Sequence, residues 1–236
     1  MSGAESETGD RSRNPNGAES EKKSVILFRD AFIAVCVKPA GMLSHDAPGG
    51  MPEYLRKATN KEVFCVHRLD REVSGLCVYA LTPRAAALLS AQIAEGQFVK
   101  EYLAVVHGAP QTAEGRMEDL LFHDMRVNKT FVTDKPRRGV REAALEYKIL
   151  QTENGLSLVR VHLLTGRTHQ IRAQFASRKL PLCGDRRYGS GDDGCADIAL
   201  FSCRLGFVHP KSGERMAYSA VPEKTAPWDG FALPEE

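Results

Sequence analysis

The chain of 236 residues lacks most of the features that assign a protein quickly. Its six cysteines (Cys36, Cys65, Cys77, Cys183, Cys195, Cys203) contain no C-x-x-C pair, which argues against a zinc or dithiol motif. Most sit in apolar, strand-like runs, the pattern of reduced, buried thiols in a cytoplasmic protein. In that compartment the Asn128-Lys129-Thr130 sequon carries no meaning. No apolar run approaches the roughly 18 residues of a membrane span, and the first residues are polar rather than signal-like. His67, His162, His169 and His209 form neither H-x-x-x-H nor H-E-x-x-H, so no metal site is expected. GSGDDG at 189–194 matches G-x-G-x-x-G in letters only. A basic turn precedes it, and Asp192 and Asp193 would repel a phosphate, so it reads as a flexible loop.

Strong net charge is lacking too: the total is +2, with 26% charged and 42% hydrophobic residues, as in an ordinary globular protein. The distribution says more than the total. Residues 126–141, RVNKTFVTDKPRRGVR, hold six basic residues against one acidic. Residues 158–190 hold seven (Arg160, Arg167, Arg172, Arg178, Lys179, Arg186, Arg187) against Asp185. One such cluster is an ordinary solvated face; two in a near-neutral chain favour a phosphate-rich partner.

Residues 1–23 contain only three apolar side chains and read as a disordered tail. From Val25 onward short β-like runs recur: VILF, AFIAVCV, EVFCV, GLCVYAL, FVKEYLAVV, ALEYKIL, LSLVRVHLL, IALFSCRLGFV and RMAYSAV. Thr82-Pro83 predicts a helix start, with Ala85, Leu88, Leu89 and Ile93 on one face and Gly96 as the stop. A second helix is expected from about residues 165–168 to Arg178, burying Ile171 and Phe175. More strands than helices, in non-alternating order, predict an α+β fold around a mainly antiparallel sheet, in a single domain over residues 24–236. Loops such as 110–141 and 185–197 carry no firm assignment.

Three constellations bear on chemistry. VHRLDREVSG at 66–75 packs charge into a loop between two strands, where reactive side chains tend to sit, although a loop aspartate is usually a turn former. LLTGRTHQIR at 163–172 places Arg172 one turn into a helix, where it could pair with a loop carboxylate and keep it ionised. In FVKEYLAVV at 98–106, strand alternation puts Phe98, Lys100 and Tyr102 on one face, joining a cation to an aromatic plane.

HRLD-x-x-x-SG, the downstream KEY, GRTHQIR and GDRRYG at 184–189 together resemble the RluA-type pseudouridine synthase family. AVCVKPAGMLSH at 34–45 resembles its first motif, and LFSCRLGFVHPKSGE at 200–214 its C-terminal strand and hairpin. The resemblance spans residues 25–222 in the family's order. It implies a pseudouridine synthase fold: a central, mainly antiparallel mixed sheet with flanking helices and an active-site cleft. It implies that Asp70 is the catalytic carboxylate, Tyr102 the residue stacking on a flipped uracil, and Arg172 the partner of Asp70. Ile171 would contact the base and Arg68 would reach into the RNA. Lys100, His67 and Arg167 complete the expected substrate-binding set, with His67 and Leu69 also acting as scaffold for the loop. Two departures bear on substrate contacts. Val73 stands where the family has threonine, and Asp46 where it has proline after the histidine. The tail is too short and polar for the S4-like RNA-binding domain that many relatives carry.

The implied activity is isomerisation of a uridine in structured ribosomal or transfer RNA by a cytoplasmic monomer, with no membrane partner. The reaction breaks N1–C1′ and joins C5 to C1′ without redox change, so neither cofactor nor metal is required. A glycosidase would need a second carboxylate facing the first; Glu72 and Asp46 are nearest in sequence and lack motif support. The competing readings are a catalytically inactive RNA-binding module of the same fold and a nucleoside hydrolase.

Overall fold

The computed structural model describes residues 25–189 and 193–234. The expected tail at 1–23 lies outside the described residues, as do residues 190–192 of the GSGDDG loop.

The strands are β1 (Val25–Arg29), β2 (Ile33–Lys38), β3 (Phe64–Cys65), β4 (Ser74–Ala80), β5 (Val99–His107), β6 (Glu114–Asp124), β7 (Lys129–Thr133), β8 (Val140–Glu153), β9 (Leu156–Leu163), β10 (Leu200–Val208) and β11 (Arg215–Ser219). Three α-helices accompany them: α1 (Met51–Thr59), α2 (Pro83–Ala94) and α3 (Gln170–Ser177). The strands form one sheet in the order β1-β2-β4-β10-β5-β9-β8-β6-β7, with β3 also on β4 and β11 on β10. Strand β10 runs parallel to β4, and the remaining ladders are antiparallel. This is the mainly antiparallel mixed sheet that the sequence predicts.

Both faces of the central strands are covered, which explains why they read as near-continuous apolar runs. Ala34, Cys36, Tyr79, Tyr102, Ala104 and Val106 face a core shared with Met51 and Leu55 of α1 and with Ile171 and Phe175 of α3. Their neighbours Ile33, Val35, Val78 and Ala80 face the opposite side, under Ala85 and Leu89 of α2. Alternation along the strands sorts the two layers.

Helix α2 starts where predicted: the Thr82 hydroxyl accepts from the Ala85 N–H at 3.2 Å and Pro83 follows the cap. Leu88, however, is 40% exposed, and the helix is pinned instead by Gln92. Its amide donates to the Val208 carbonyl and accepts from the Val208 N–H, both at 2.8 Å. Helix α3 begins later than expected because residues 165–169 form a turn held by the Gln170 side chain, which accepts from the Thr165 hydroxyl and the Arg167 N–H. Three elements have no counterpart in the sequence reading: α1, and the β6–β7 hairpin inside the unassigned stretch 110–141. The hairpin strands bury only Met117, Leu121 and Thr130 and so lack the apolar density that marks a core strand.

Gly75 shows why the charged loop must end in Ser-Gly. It sits at φ 117°, paired with Ser202 where β4 meets β10. A Cβ there would stand 2.5 Å from the Ser202 backbone nitrogen, so neither its backbone angle nor its surroundings accept a side chain. Gly75→Ala is expected to destabilise the protein by about 3 kcal/mol or more. Urea unfolding checks this; a midpoint equal to wild type would mean that the two strands separate at no cost.

Candidate active site

The loop of residues 66–73 closes the hairpin between β3 and β4, in which Phe64 pairs with Ala80 and Cys65 with Tyr79. Four contacts fix its shape. The Ser44 hydroxyl donates to the Leu69 carbonyl at 2.6 Å and accepts from the Leu69 N–H at 3.1 Å. His67 Nε2 accepts from the Val78 N–H at 3.1 Å. The Val73 N–H returns to the Asp70 carbonyl at 3.1 Å. The fourth is Lys38, fully buried, whose ammonium donates to the carbonyls of Pro39, Met42 and Arg71 at 2.8, 2.8 and 3.2 Å. Burial lowers the Lys38 pKa to about 8, partly opposed by nearby Cys77, Asp70 and Glu72.

On that loop the Asp70 carboxylate points at α3. Arg172 Nη1 donates to its Oδ2 at 3.1 Å, and His169 Nε2 lies 3.7 Å from the same oxygen. No hydrogen bond or ion pair among the described residues reaches Oδ1. The side chain is 22% exposed, so one oxygen is held and the other is left for a ligand. Arg172 is itself bound more tightly elsewhere. Its Nε and Nη2 donate to the two oxygens of Asp185 at 2.7 and 2.8 Å, a bidentate pair with the Asp185 side chain fully buried. Burial works against the Arg172 charge, but the hydrogen bonds and charges of Asp185 and Asp70 outweigh it and raise its pKa above the ordinary value.

A cleft of about 730 Å³ opens over this pair and is lined by all eight predicted site residues: Asp70, Tyr102, Arg172, Arg68, Ile171, Lys100, His67 and Arg167. Tyr102, from β5, presents its ring from the sheet floor, and burial raises its hydroxyl pKa, so it stays protonated. Ile171, in the first turn of α3, is 4% exposed beside it. Lys100 is half-buried with its pKa lowered by desolvation and makes no ion pair among the described residues. Arg68 is exposed and likewise unpaired. Arg167 is exposed at the rim and donates from Nε to the Glu142 carbonyl at 2.8 Å. His67 borders the cleft, but its described ring hydrogen bond goes to β4. Burial, with a smaller contribution from Lys100, pushes its pKa down to about 3, so it stays neutral.

Two sequence expectations need correcting. Phe98 does not share the cleft face with Lys100 and Tyr102, because β5 becomes regular only at Val99. It packs on the α2 side, with its ring stacked on Phe207 at 5.6 Å and 5.5 Å from that of His67. Arg172 belongs to no solvated basic face, being buried between two carboxylates, and Arg178 and Arg126 are paired with Asp119 and Asp124. The two basic segments are also joined, since Lys129 donates to the Arg187 carbonyl and Arg187 to the Val127 carbonyl. The departures from the family motifs have simple accounts. Val73 is a buried wall of the cleft, and Asp46 forms a bidentate surface pair with Arg56 of α1.

Sequence reasoning missed Lys38, Ser44, His169, Asp185 and Tyr188. Lys38 and Ser44 lie in AVCVKPAGMLSH, and the other three in GRTHQIR and GDRRYG, so the signal was present as motif letters without roles. One donor cluster stands apart from the cleft: His107, Cys183 and Asp193 bring N, S and O atoms within 4.8 Å. Both Asp193 oxygens already accept backbone N–H groups, from Gly184 and Cys195, and His107 joins at 2.8 Å, so the group closes a loop.

Comparison with known proteins places this geometry. The family model described as RNA pseudouridylate synthase matches residues 33–177, more than half of the chain. The chain belongs to that family. It is 32% identical over 210 residues to the ribosomal large subunit pseudouridine synthase C of Buchnera aphidicola (subspecies Schizaphis graminum), covering 81% of this chain and 65% of that protein. It thus spans just under two thirds of the length of that relative. It is 31% identical over 223 residues to the tRNA pseudouridine synthase C of Haemophilus ducreyi, covering 83% of this chain and 90% of that one. Among solved structures, the human RNA pseudouridylate synthase domain containing 1 superposes with a TM-score of 0.76 at 20% identity, covering 91% of each chain. That superposition confirms the pseudouridine synthase fold.

The Lys38 clamp is open to a direct test. Lys38→Met leaves three carbonyls without their donor and is expected to cost about 1–3 kcal/mol at pH 7. The folded-state pKa of about 8 lies below the ordinary 10.5. Between those values the folded protein holds fewer protons than the unfolded one, so wild-type stability should rise relative to the variant as pH increases. Urea unfolding of both proteins at pH 7, 9 and 10 measures the difference; a constant gap across the series would remove the buried charge from the account.

Proposed function

We propose that this protein isomerises uridine to pseudouridine in structured ribosomal or transfer RNA, with Asp70 as the reacting carboxylate. The observation that carries the reading is the one-sided hold on Asp70: Oδ2 is tied to Arg172 while Oδ1 is left unpaired in a cleft large enough for a nucleotide. Family membership supports the reaction, and the names of the relatives support RNA as substrate.

In this reading the target uridine leaves its stack at a cost of a few kcal/mol, least for a loop or bulged base. The freed base lies on the Tyr102 ring, with Ile171 excluding water at its edge. Ionised Asp70 acts on the sugar or the base, N1–C1′ breaks, and the base turns and joins C5 to C1′. The hydrogen leaves C5, and N1 ends protonated. Arg172 keeps the carboxylate charged and aimed, and Tyr102, held protonated by burial, contributes its plane rather than a negative charge. Lys100, an unpaired ammonium 3.4 Å from where a Gly166 side chain would begin, is placed to meet the phosphate of the flipped nucleotide. Arg68 fills the vacated stack and Arg167 contacts the backbone at the rim. His67 serves the site through the loop that it holds.

One sheet runs from β1 to β11, which supports reading residues 24–236 as a single catalytic unit. Six cysteines, five of them buried, suit a reducing compartment such as the cytoplasm.

RNA labelled with tritium at uridine C5 tests the assignment. Wild-type protein should release tritium to water, and Asp70→Asn should lower release by at least about a thousandfold, as loss of a reacting group does. Release persisting in that variant removes Asp70 from the reaction. RNA binding without release by wild type would make the protein an inactive RNA-binding module. Tyr102→Phe should keep most of the activity and Tyr102→Ala should lose about 10- to 100-fold, given the ~1–3 kcal/mol of base stacking. Equal rates for both variants and wild type would sink the stacking role.

A further inference from the structure

His169 is buried, has no role in the scheme above, and lies within reach of the reacting carboxylate. Its backbone is left-handed, at φ 53° and ψ 24°, immediately before the first turn of α3. That conformation is uncommon for a residue other than glycine, although histidine adopts it more readily than most, and here the surroundings hold it as well. What holds it is an ordered chain of polar contacts. The Thr130 N–H donates to the Tyr188 hydroxyl oxygen at 2.6 Å, and that hydroxyl lies 3.1 Å from His169 Nδ1. The Thr130 hydroxyl donates to the Thr168 carbonyl at 2.8 Å and also contacts His123 Nδ1 at 3.0 Å. The rings of Tyr188 and His123 both meet the His169 ring edge-on, at centroid distances of 5.7 and 5.9 Å.

The contacts favour one tautomer. Tyr188 Oη accepts from the Thr130 N–H and has its single hydrogen to donate to His169 Nδ1. A neutral imidazole that accepts at Nδ1 carries its proton on Nε2. Nε2 faces Asp70 Oδ2 at 3.7 Å, the same oxygen that Arg172 holds. The residue thus presents a second N–H to the oxygen that must stay fixed while Oδ1 works. The surrounding charges agree with a neutral ring: burial lowers its pKa most, Asp70 opposes this, and Arg172, His123 and Arg187 add to the lowering.

We propose that His169 is a positioning residue for the reaction, locked by Tyr188 as the Nε2–H tautomer so that it and Arg172 grip Asp70 Oδ2 from two sides. The proposal rests on the reading of Asp70 given above. Arg172 supplies charge and one direction; His169 supplies the second direction, without which the carboxylate swings about the single Arg172 bond. Closing the 3.7 Å gap to hydrogen-bond length takes a shift of under an ångström, and catalytic hydrogen bonds that are long without substrate commonly tighten when it binds.

The same tritium-release assay decides it, run with wild type and Asp70→Asn beside three variants of this network. His169→Asn tolerates the left-handed backbone but falls short of Nε2. His169→Gln carries an amide N–H close to the Nε2 position. Tyr188→Phe removes the hydroxyl that sets the tautomer. His169→Asn should lose about 10- to 100-fold in kcat with KM for RNA within about twofold, as expected for one hydrogen bond to a charged group. His169→Gln should recover most of that loss, and Tyr188→Phe should fall between them. Wild-type kcat in His169→Asn, or equal losses in Asn and Gln, would overturn the proposal. A loss appearing as raised KM would overturn it too, and would assign His169 to RNA binding. If wild type releases no tritium, or Asp70→Asn still does, the functional reading fails instead, and the two failures stay distinct.

Discussion

Everything at the cleft depends on one buried guanidinium. Arg172 donates through Nε and Nη2 to Asp185 and through Nη1 to Asp70, so a single cation bridges a fully buried carboxylate and the partly exposed one proposed to react. An isolated arginine at this depth would carry a heavy desolvation cost. The bidentate Asp185 offsets that cost, and its fork geometry fixes the guanidinium plane, leaving Nη1 turned towards the loop, 3.1 Å from Asp70 and 3.7 Å from Glu72. Asp70 therefore meets a cation already oriented by another residue, and its carboxylate is positioned without being fully consumed. Were Asp70 the bidentate partner, both its oxygens would be occupied and neither left to react.

The loop that carries Asp70 is as constrained as the cation it meets. Lys38, Ser44, His67 and Gly75 come from four places along the chain, and each removes a different freedom. Lys38 ties the Arg71 carbonyl to the turn at 39–42, and Ser44 pairs with both backbone groups of Leu69. His67 anchors the start of the loop on β4, and Gly75 lets β4 lie against β10 at its end. A polar loop carrying four charged residues would otherwise be mobile on the sheet edge. Here its backbone groups are met by groups the scaffold buries, and buried hydrogen bonds of this kind are costly to break. Preorganisation of the carboxylate is thus distributed between α3, which sets its direction, and the β2–β4 region, which sets its position.

How much of this was legible in the sequence follows from which interactions leave a local pattern. Strands covered on both faces announce themselves as apolar runs, and α2 announces itself by Thr82-Pro83. The β6–β7 hairpin does not, since its strands are largely exposed or half-buried, and α1 does not, since only Met51, Pro52 and Leu55 of its nine residues are buried. Helix position suggested that Arg172 could pair with a loop carboxylate, but its assignment to Asp70 came from the motif resemblance, because 102 residues separate the pair. Asp185 was invisible in role for a sharper reason. In composition it counted as the lone acidic residue in a basic segment, whereas in space it is the partner that converts Arg172 from a surface charge into a buried one. Counting charges along the chain cannot distinguish those situations; burial can.

That conversion changes what the basic clusters can do for RNA. Of the cations that made the two segments look like nucleic-acid surfaces, Arg172 is paired in the interior, Arg178 and Arg126 are paired at the surface with Asp119 and Asp124, and Arg137 lies over the Phe122 ring at 4.0 Å. The exposed cations without ion pairs among the described residues include Lys135, Arg138 and Arg141 near the β7–β8 turn, together with Arg68 at the cleft. Exposed cations without ion pairs therefore remain in both segments, with Lys179, Arg186 and Arg187 among those of the second. Under the proposed function these are the groups left to meet RNA phosphates, whereas Arg172 is committed to Asp70 and Asp185. Charge that is spent on the site is charge withdrawn from the surface, so the linear count of basic residues overstates what the second segment can offer a phosphate.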